Sequence, residues 1–322
     1  MLLAADIGGT WARLLATDSQ GRRRLASDTY ASADFASLAD VINTFRQQHG
    51  LPAFAAACLG LPGPVVQERS ATLTNLPWAV EADKLEAECG IGQVVLINDF
   101  QAAAYGINCL TPGQLLTLHP GQPAPGGHRL VAGAGTGLGV APVLLCNGRY
   151  VPVASEGGHM DFAPADDMQQ DLLRWLWQQW EHVSCERILS GPGLELLYGF
   201  FSGLPHPGQA AGVSAAQVSA MAAAGEPVAC RTLSTFVSIY GSYLGNVALL
   251  WPAPGGIYIA GGVAAHISDW MQRPEFLQAL QNKGRLRAII NRMPVYLVIA
   301  TELGLTGAAC LAHQLVTSSA GE

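Results

Sequence analysis

Two glycine-rich runs carry the first chemistry legible in the chain: Asp6-Ile7-Gly8-Gly9-Thr10 and Gly133-Ala134-Gly135-Thr136-Gly137-Leu138-Gly139. Glycine lets a backbone approach an anion and aim successive N–H groups at its oxygens, so either run can cradle a phosphate without a lysine. Either can equally be a hairpin turn with a positive-φ glycine. Their recurrence at equivalent points of a repeated pattern favours the cradle. Asn98 and Asp99 follow a strand expected at 93–97, at its carboxyl end, where open α/β sheets place ligand groups. Read alone, Asp99 is also a good helix N-cap. Glu156 precedes Gly157-Gly158 and reads as a turn residue. Glu186 beside Arg187 reads as a solvated pair, and His159 as a core histidine, with no second metal ligand at helical spacing.

Lysine scarcity prunes the mechanisms. Lys84 follows Asp83 and Lys283 follows Asn282, and there is no third lysine. A P-loop needs Gly-Lys-Ser/Thr and the protein-kinase strand needs V-A-I-K, so both are excluded. HExxH and GxSxG are absent, the nearest approach being Gly212-Val213-Ser214. Phosphate, if bound, must be held by backbone N–H groups and a metal.

The elements that would position these residues repeat. Strands are predicted at 2–6, 13–18 and 23–30, then a helix capped by Asp34 and ended by Gly50. A strand at 53–59, a loop Gly60-Leu61-Pro62-Gly63-Pro64, a helix at 81–89, a strand at 93–97 and a helix from about 100 follow. After a loop at 120–127, strands at 129–134, 138–146 and 149–153 restart the pattern. A helical insertion covers 167–180, 194–201 and 214–224. A long charge-free helix, strands at 256–260 and 294–300, and a helix at 304–316 end it. Two copies of one βββαβα plan, the second enlarged, is the organisation implied.

Composition excludes several classes. Charged residues are 13% and hydrophobic residues 50% of the 322, with 37 glycines, which first suggests a membrane protein. The uncharged stretch from 232 to 268 even holds Gly241 and Gly245 at GxxxG spacing. Yet Ser234, Ser238, Ser242 and Asn246 form a polar stripe, and Pro252, Pro254, Gly255 and Gly256 break the run. A soluble helix with close packing at its glycines is expected. Asp6 falls within the first residues and no basic n-region precedes it, so no secretory signal is expected and the chain should be cytoplasmic. The seven cysteines are scattered, never at CxC or CxxC spacing, and encode neither a disulfide framework nor a zinc site. Net charge is −7 and Arg22-Arg23-Arg24, expected as a solvated turn, is the longest basic run, so no nucleic-acid partner is expected.

In combination, DIGGT followed by AR after one residue, LINDF, GAGTGLG, SEGGHMDFAP, CERILSGPGLELLY and IYIAGGV resemble the bacterial glucokinase family of the hexokinase and actin-like ATPase superfamily. The resemblance runs from about Ala5 to Ala309. The related sugar kinases with a zinc-binding cysteine cluster fit less well, since no such cluster exists. The resemblance implies an α/β, two-lobed, ribonuclease H-like fold with a cleft between lobes. The small lobe would be 1–110 with a C-terminal helix at about 301–322 packing back on it, and the large lobe 111–300.

It further implies that ATP phosphates are held by Ala5, Asp6, Ile7, Gly8, Gly9 and Thr10 and by Gly133, Gly135, Thr136 and Gly137. Adenosine would meet Gly261 and Gly262, which an ordinary strand-to-helix packing turn also explains. Mg2+ would face Asp6 through water. Asp99 would be the catalytic base for the sugar 6-hydroxyl, and Asn98, Asp99, Glu156, His159 and Glu186 would bind glucose, each carboxylate accepting hydroxyl hydrogen bonds. The implied activity is ATP-dependent phosphorylation of D-glucose by a cytoplasmic homodimer that binds neither membrane nor nucleic acid. The alternatives are a kinase for another hexose or amino sugar, or a non-catalytic sugar-binding regulator. Intact Asp99 and both turns, with no DNA-binding extension before Asp6, argue against the regulator. Trp11 departs from the small polar residue usual after GGT, and the 60–64 loop is unusually rich in glycine and proline.

Overall fold

The computed structural model describes residues 1–21, 23–73, 76–209 and 211–319, and the chain groups into two units. The first comprises Met1–Thr111, Tyr150–Ala154 and Ala300–Glu322; the second, Pro112–Arg149 and Ser155–Ile299. Arg22 of the basic tripeptide lies outside the described residues. Arg24 is more than a solvated turn, because its guanidinium donates to both carboxylate oxygens of Glu302, at 2.9 and 3.1 Å.

In the first unit, β1 (Leu2–Ile7), β2 (Trp11–Thr17) and β3 (Arg24–Ala31) form an antiparallel meander. After α1 (Leu38–Gln48), β4 (Ala56–Leu61) pairs parallel to β1. Short strands β5 (Val65–Val66), β6 (Ser70–Thr72) and β7 (Ala79–Glu81) make a separate small sheet. Then α2 (Ala82–Cys89), β8 (Val94–Asn98) and α3 (Asp99–Gly106) follow, and the main sheet has the order β3-β2-β1-β4-β8. The α1 cap is Ser37, whose side chain accepts the Asp40 N–H, and not Asp34, which sits in a preceding 3₁₀ turn.

The period of two along β1 sends its side chains into different clusters. Leu3, Ala5 and Ile7 pack with Val41, Ile42 and Phe45 of α1 and Leu85 of α2. Leu2 and Ala4 pack with Ala102 of α3 and with Leu305, Ala308 and Ala312 near the C-terminus. Apolar residues on both faces are what a helix-covered sheet demands, and they account for the low charge content.

The second unit repeats the plan. After β9 (Leu115–His119) come β10 (Arg129–Ala134), β11 (Leu138–Cys146) and β12 (Arg149–Pro152), the last straddling the division between units. The insertion holds α4 (Asp167–Leu176), α5 (Gly191–Phe201) and α6 (Ala215–Ala223), followed by α7 (Pro227–Leu250). β13 (Ile257–Ala260), α8 (Gly262–His266), α9 (Ser268–Met271), α10 (Pro274–Gln281), α11 (Arg287–Ile290) and β14 (Val295–Val298) complete it. The sheet order β12-β11-β10-β13-β14 matches that of the first unit, with β9 added antiparallel at the β14 edge. The final helix, α12 (Leu303–Ser319), belongs to the first unit and packs on α3, β1 and β4.

α7 is long and apolar enough to cross a membrane, but its apolar residues Leu233, Phe236, Val237, Tyr240 and Leu244 are core. Its two glycines make room for α10: a methyl on Gly241 would strike the Phe276 carbonyl, and one on Gly245 the Leu280 carbonyl. One expectation fails. Cys109 and Cys310 are joined by a disulfide across 201 residues, a pairing that sequence spacing does not show because helix packing creates it.

Candidate functional site

In the first unit, Gly8, Gly9 and Thr10 are the turn between β1 and β2. The Gly8 N–H donates to the Trp11 carbonyl at 2.8 Å, so the turn is closed by Trp11's backbone while its indole is half exposed. Buried Ser32 braces the turn, its N–H donating to Thr10 O and its hydroxyl to Gly8 O, both at 3.0 Å. Sequence reading did not single out Ser32, since a serine after a strand has no local mark of this role. Ala5 and Ile7 turn their side chains into the core and contribute position rather than contact.

Asp6 lies one residue before the end of β1 and pairs with Arg13 at 3.3 Å. Burial pushes its carboxyl above the ordinary 3.8, with Arg13 pulling in the opposite direction. It sits across the ladder from Gly60. A methyl on Gly304, in the first turn of α12, would stand 3.5 Å from the Asp6 carboxyl carbon.

Asn98 ends β8 and Asp99 opens α3. Asn98 is the N-cap: its side-chain oxygen accepts the Phe100 N–H at 2.8 Å, and Gln101 returns a bond to the Asn98 N–H at 3.1 Å, a reciprocal box. The Asn98 amide also donates to Gly63 O at 3.2 Å, fixing the glycine-proline loop. Asp99 is the first helical residue and half-buried; its Oδ1 shares the Phe100 N–H with Asn98, at 2.8 Å, and the partial positive charge of the helix N-terminus favours its carboxylate. Gly60 links the two acids: a methyl there would meet Ala5 O at 3.4 Å and the Asp99 Cα at 3.9 Å.

In the second unit, Gly135, Thr136 and Gly137 form the matching turn between β10 and β11, closed by Gly135 N–H to Gly137 O at 2.8 Å. Gly133 is a strand residue paired with Gly139. The Ser190-Gly191-Pro192-Gly193 segment starts α5 and touches the turn, the Gly191 N–H donating to Gly135 O at 2.8 Å. Gly261, with φ +90°, ends β13 against the Ala134 carbonyl, so it and Gly262 lie beside the same turn.

Glu186 joins this turn to the second set of candidates. Its Oε2 accepts the Leu138 N–H at 2.9 Å, and a methyl on Gly137 would lie 2.5 Å from that oxygen. Its Oε1 is 4.0 Å from His159 Nδ1, and His159 Nε2 is 4.0 Å from Glu156 Oε2. Glu156, His159 and Glu186 therefore gather in one place, neither in a core nor as separate solvated groups. The Glu156 and His159 side chains are 72% and 56% exposed, open to a ligand. Gly158 packs directly on the Leu138 carbonyl, which seats this cluster on the start of β11. Among the described residues no three His, Cys, Asp or Glu side chains gather as metal ligands.

Two units thus each present a braced glycine turn with carboxylates beside it, suited to holding phosphate by backbone N–H groups and hydroxyls by carboxylates. The glucokinase family model matches residues 3–315. The glucokinase of Nostoc punctiforme is 36% identical over 340 residues, covering 98% of this chain and 99% of that protein. A solved glucokinase from an Antarctic psychrotroph superposes with TM-score 0.84 at 32% identity, over 97% of this chain and 98% of the other. A ROK family glucokinase from Streptomyces griseus, solved with glucose and AMPPNP, shares the fold with TM-score 0.64 at 24% identity, over 97% and 99%. The match over nearly the whole length shows that the chain belongs to the glucokinase family.

Proposed function

We propose that the chain transfers the γ-phosphoryl group of ATP to the 6-hydroxyl of D-glucose, giving glucose 6-phosphate and ADP. The observation that carries this is Asp99, which opens α3 at the carboxyl end of β8 with one oxygen fixed by the Phe100 N–H. Asp99 accepts the 6-hydroxyl proton as that oxygen attacks phosphorus. Phosphoryl transfer has a loose transition state, so alignment and charge neutralisation do most of the work. Asn98, Glu156, His159 and Glu186 bind sugar hydroxyls. The Gly8–Thr10 and Gly135–Gly137 turns hold phosphate oxygens, and Gly261 and Gly262 contact adenosine.

Mg2+ fits Asp6: a hard oxygen donor, desolvated by burial and paired with Arg13 at 3.3 Å, in a site where phosphates would supply further ligands. When bound, the ion supplies charge neutralisation at the phosphate oxygens. Family membership also supports a cytoplasmic homodimer, the dimer testable by sedimentation equilibrium.

A coupled ADP-release assay with glucose, fructose, mannose and glucosamine tests the reading beside Asp99→Asn. Turnover should be highest with glucose and should fall by about 10²–10⁴-fold in the variant. Undiminished turnover in Asp99→Asn would sink the base assignment. Glucose binding without turnover in the unsubstituted protein would sink the kinase.

A further inference from the structure

The seam between α3 and α12 is built on glycine, with the Leu303 side chain seated over Gly106. A methyl on Gly106 would strike the Leu303 carbonyl, and one on Gly307 the Ala102 carbonyl, so the helices meet backbone to backbone. Leu303, Gly307 and Cys310 follow one another at four and three residues, along one face of α12. At such close approach a shift of one helix is felt directly by the other. One covalent tie is present: Cys109, in the 3₁₀ turn that ends α3, is bonded to Cys310.

The other five cysteines are unpaired. Cys58, Cys89 and Cys185 are buried, and burial pushes their thiols up, to about 11 for Cys89 and about 12 for Cys185, which suppresses the reactive thiolate. Cys109 is exposed and Cys310 half-buried. Each helix leads to an acid of the site, since α3 begins at Asp99 and the first turn of α12 packs on Asp6.

We propose that Cys109 and Cys310 are a reversible thiol–disulfide modification site that locks α3 to α12 and slows turnover. The effect on turnover rests on the reading of Asp6 and Asp99 given above; the bond itself does not. The oxidant is a low-molecular-weight disulfide such as oxidised glutathione. The Cys109 thiolate attacks one of its sulfurs, that S–S bond breaks, and the first thiolate leaves and takes up a proton. The Cys310 thiolate then attacks the Cys109 sulfur of the mixed disulfide and expels the second. Two protein thiols lose two electrons and two protons, and one small disulfide becomes two thiols. In the reduced form the seam can adjust as substrates bind; in the oxidised form Asp6 and Asp99 are held at one spacing.

The test uses the full chain equilibrated in reduced or oxidised glutathione, read by peptide mapping, melting temperature and glucose turnover. Oxidation should yield the Cys109–Cys310 peptide, a higher melting temperature and turnover lower by ~3-fold or more, all reversed by dithiothreitol. Cys310→Ser should abolish every response, whereas Cys146→Ser should leave them intact. Should either variant fail to fold, the redox titration of the unsubstituted chain still decides. No linked peptide under full oxidation would overturn the site, and a linked peptide with unchanged turnover would overturn the lock. Failure of the kinase reading is separately visible in Asp99→Asn.

Discussion

Asp6 is placed where folding and its proposed role pull in opposite directions. Its carboxyl is raised above 3.8 by burial, so the folded chain holds this proton more tightly than the unfolded chain does. Stability from this group therefore falls as pH rises from 3.8 through the raised folded value, and at neutral pH the ionised form works against folding. Asp6→Asn should raise the melting temperature at pH 7 by about 1–3 °C, lose that advantage as pH falls toward 3.8, and lower turnover. Thermal scans across pH check the first part; a lower melting temperature at pH 7 would refute it. Glu186 offers a second contrast, because one oxygen holds the Leu138 N–H beside the Gly135–Gly137 turn while the other faces His159. Glu186→Ala should weaken both glucose and ATP, each KM rising by about 10-fold or more given ~1.5–3 kcal/mol for a hydrogen bond to a charged group. Glu156→Ala, which lacks the turn contact, should weaken glucose alone. Steady-state kinetics with each substrate varied separates the two.

At the scale of elements, two helix pairs depend on glycine, but only one carries an acid of the site. Gly307→Ala would drive a methyl into the Ala102 carbonyl, and Gly241→Ala would drive one into the Phe276 carbonyl. Each should cost about 1–3 kcal/mol by overpacking, read by urea denaturation. Only Gly307→Ala should also lower kcat, because α3 moves with Asp99 at its start; equal kcat in both variants would break that link. The long elements were legible because their signals are local: apolar runs for β1, β4 and β10, glycine turns between them, and breaks at Pro252 and Gly255. Glu156, His159 and Glu186 were singled out only through the resemblance, and their gathering depends on Gly158 lying on Leu138, which no spacing reveals. β5, β6 and β7 have two or three residues each and so no measurable period. Asn98 rather than Asp99 caps α3 because Gln101 completes the reciprocal box. Ser32 and the Cys109–Cys310 bond were silent because their partners are fixed by tertiary packing.

At the scale of the molecule, the first unit is assembled from both ends of the chain, whereas the second is drawn from the middle. Leu2, Ala4, Ala56, Cys58, Val95, Ile97 and Ala102 form one cluster with Leu305, Ala308, Leu311 and Ala312 of α12. Removing residues 301–322 would expose that face of the sheet and delete the Arg24–Glu302 pair and the Cys310 bond. Burial of Leu305 and Leu311 alone contributes roughly 3–6 kcal/mol, a large part of the ~5–15 kcal/mol available to a whole protein. The truncated chain should therefore lose the first unit while the second, with its own continuous core around Phe236, Tyr240, Ile259 and Leu297, stays folded. Limited proteolysis followed by mass spectrometry should find a resistant fragment spanning about 112–299 and rapid cleavage within 1–111. Equal resistance of both regions would mean that α12 is dispensable to the first unit. Equal loss would mean that the second unit cannot stand once the first is gone.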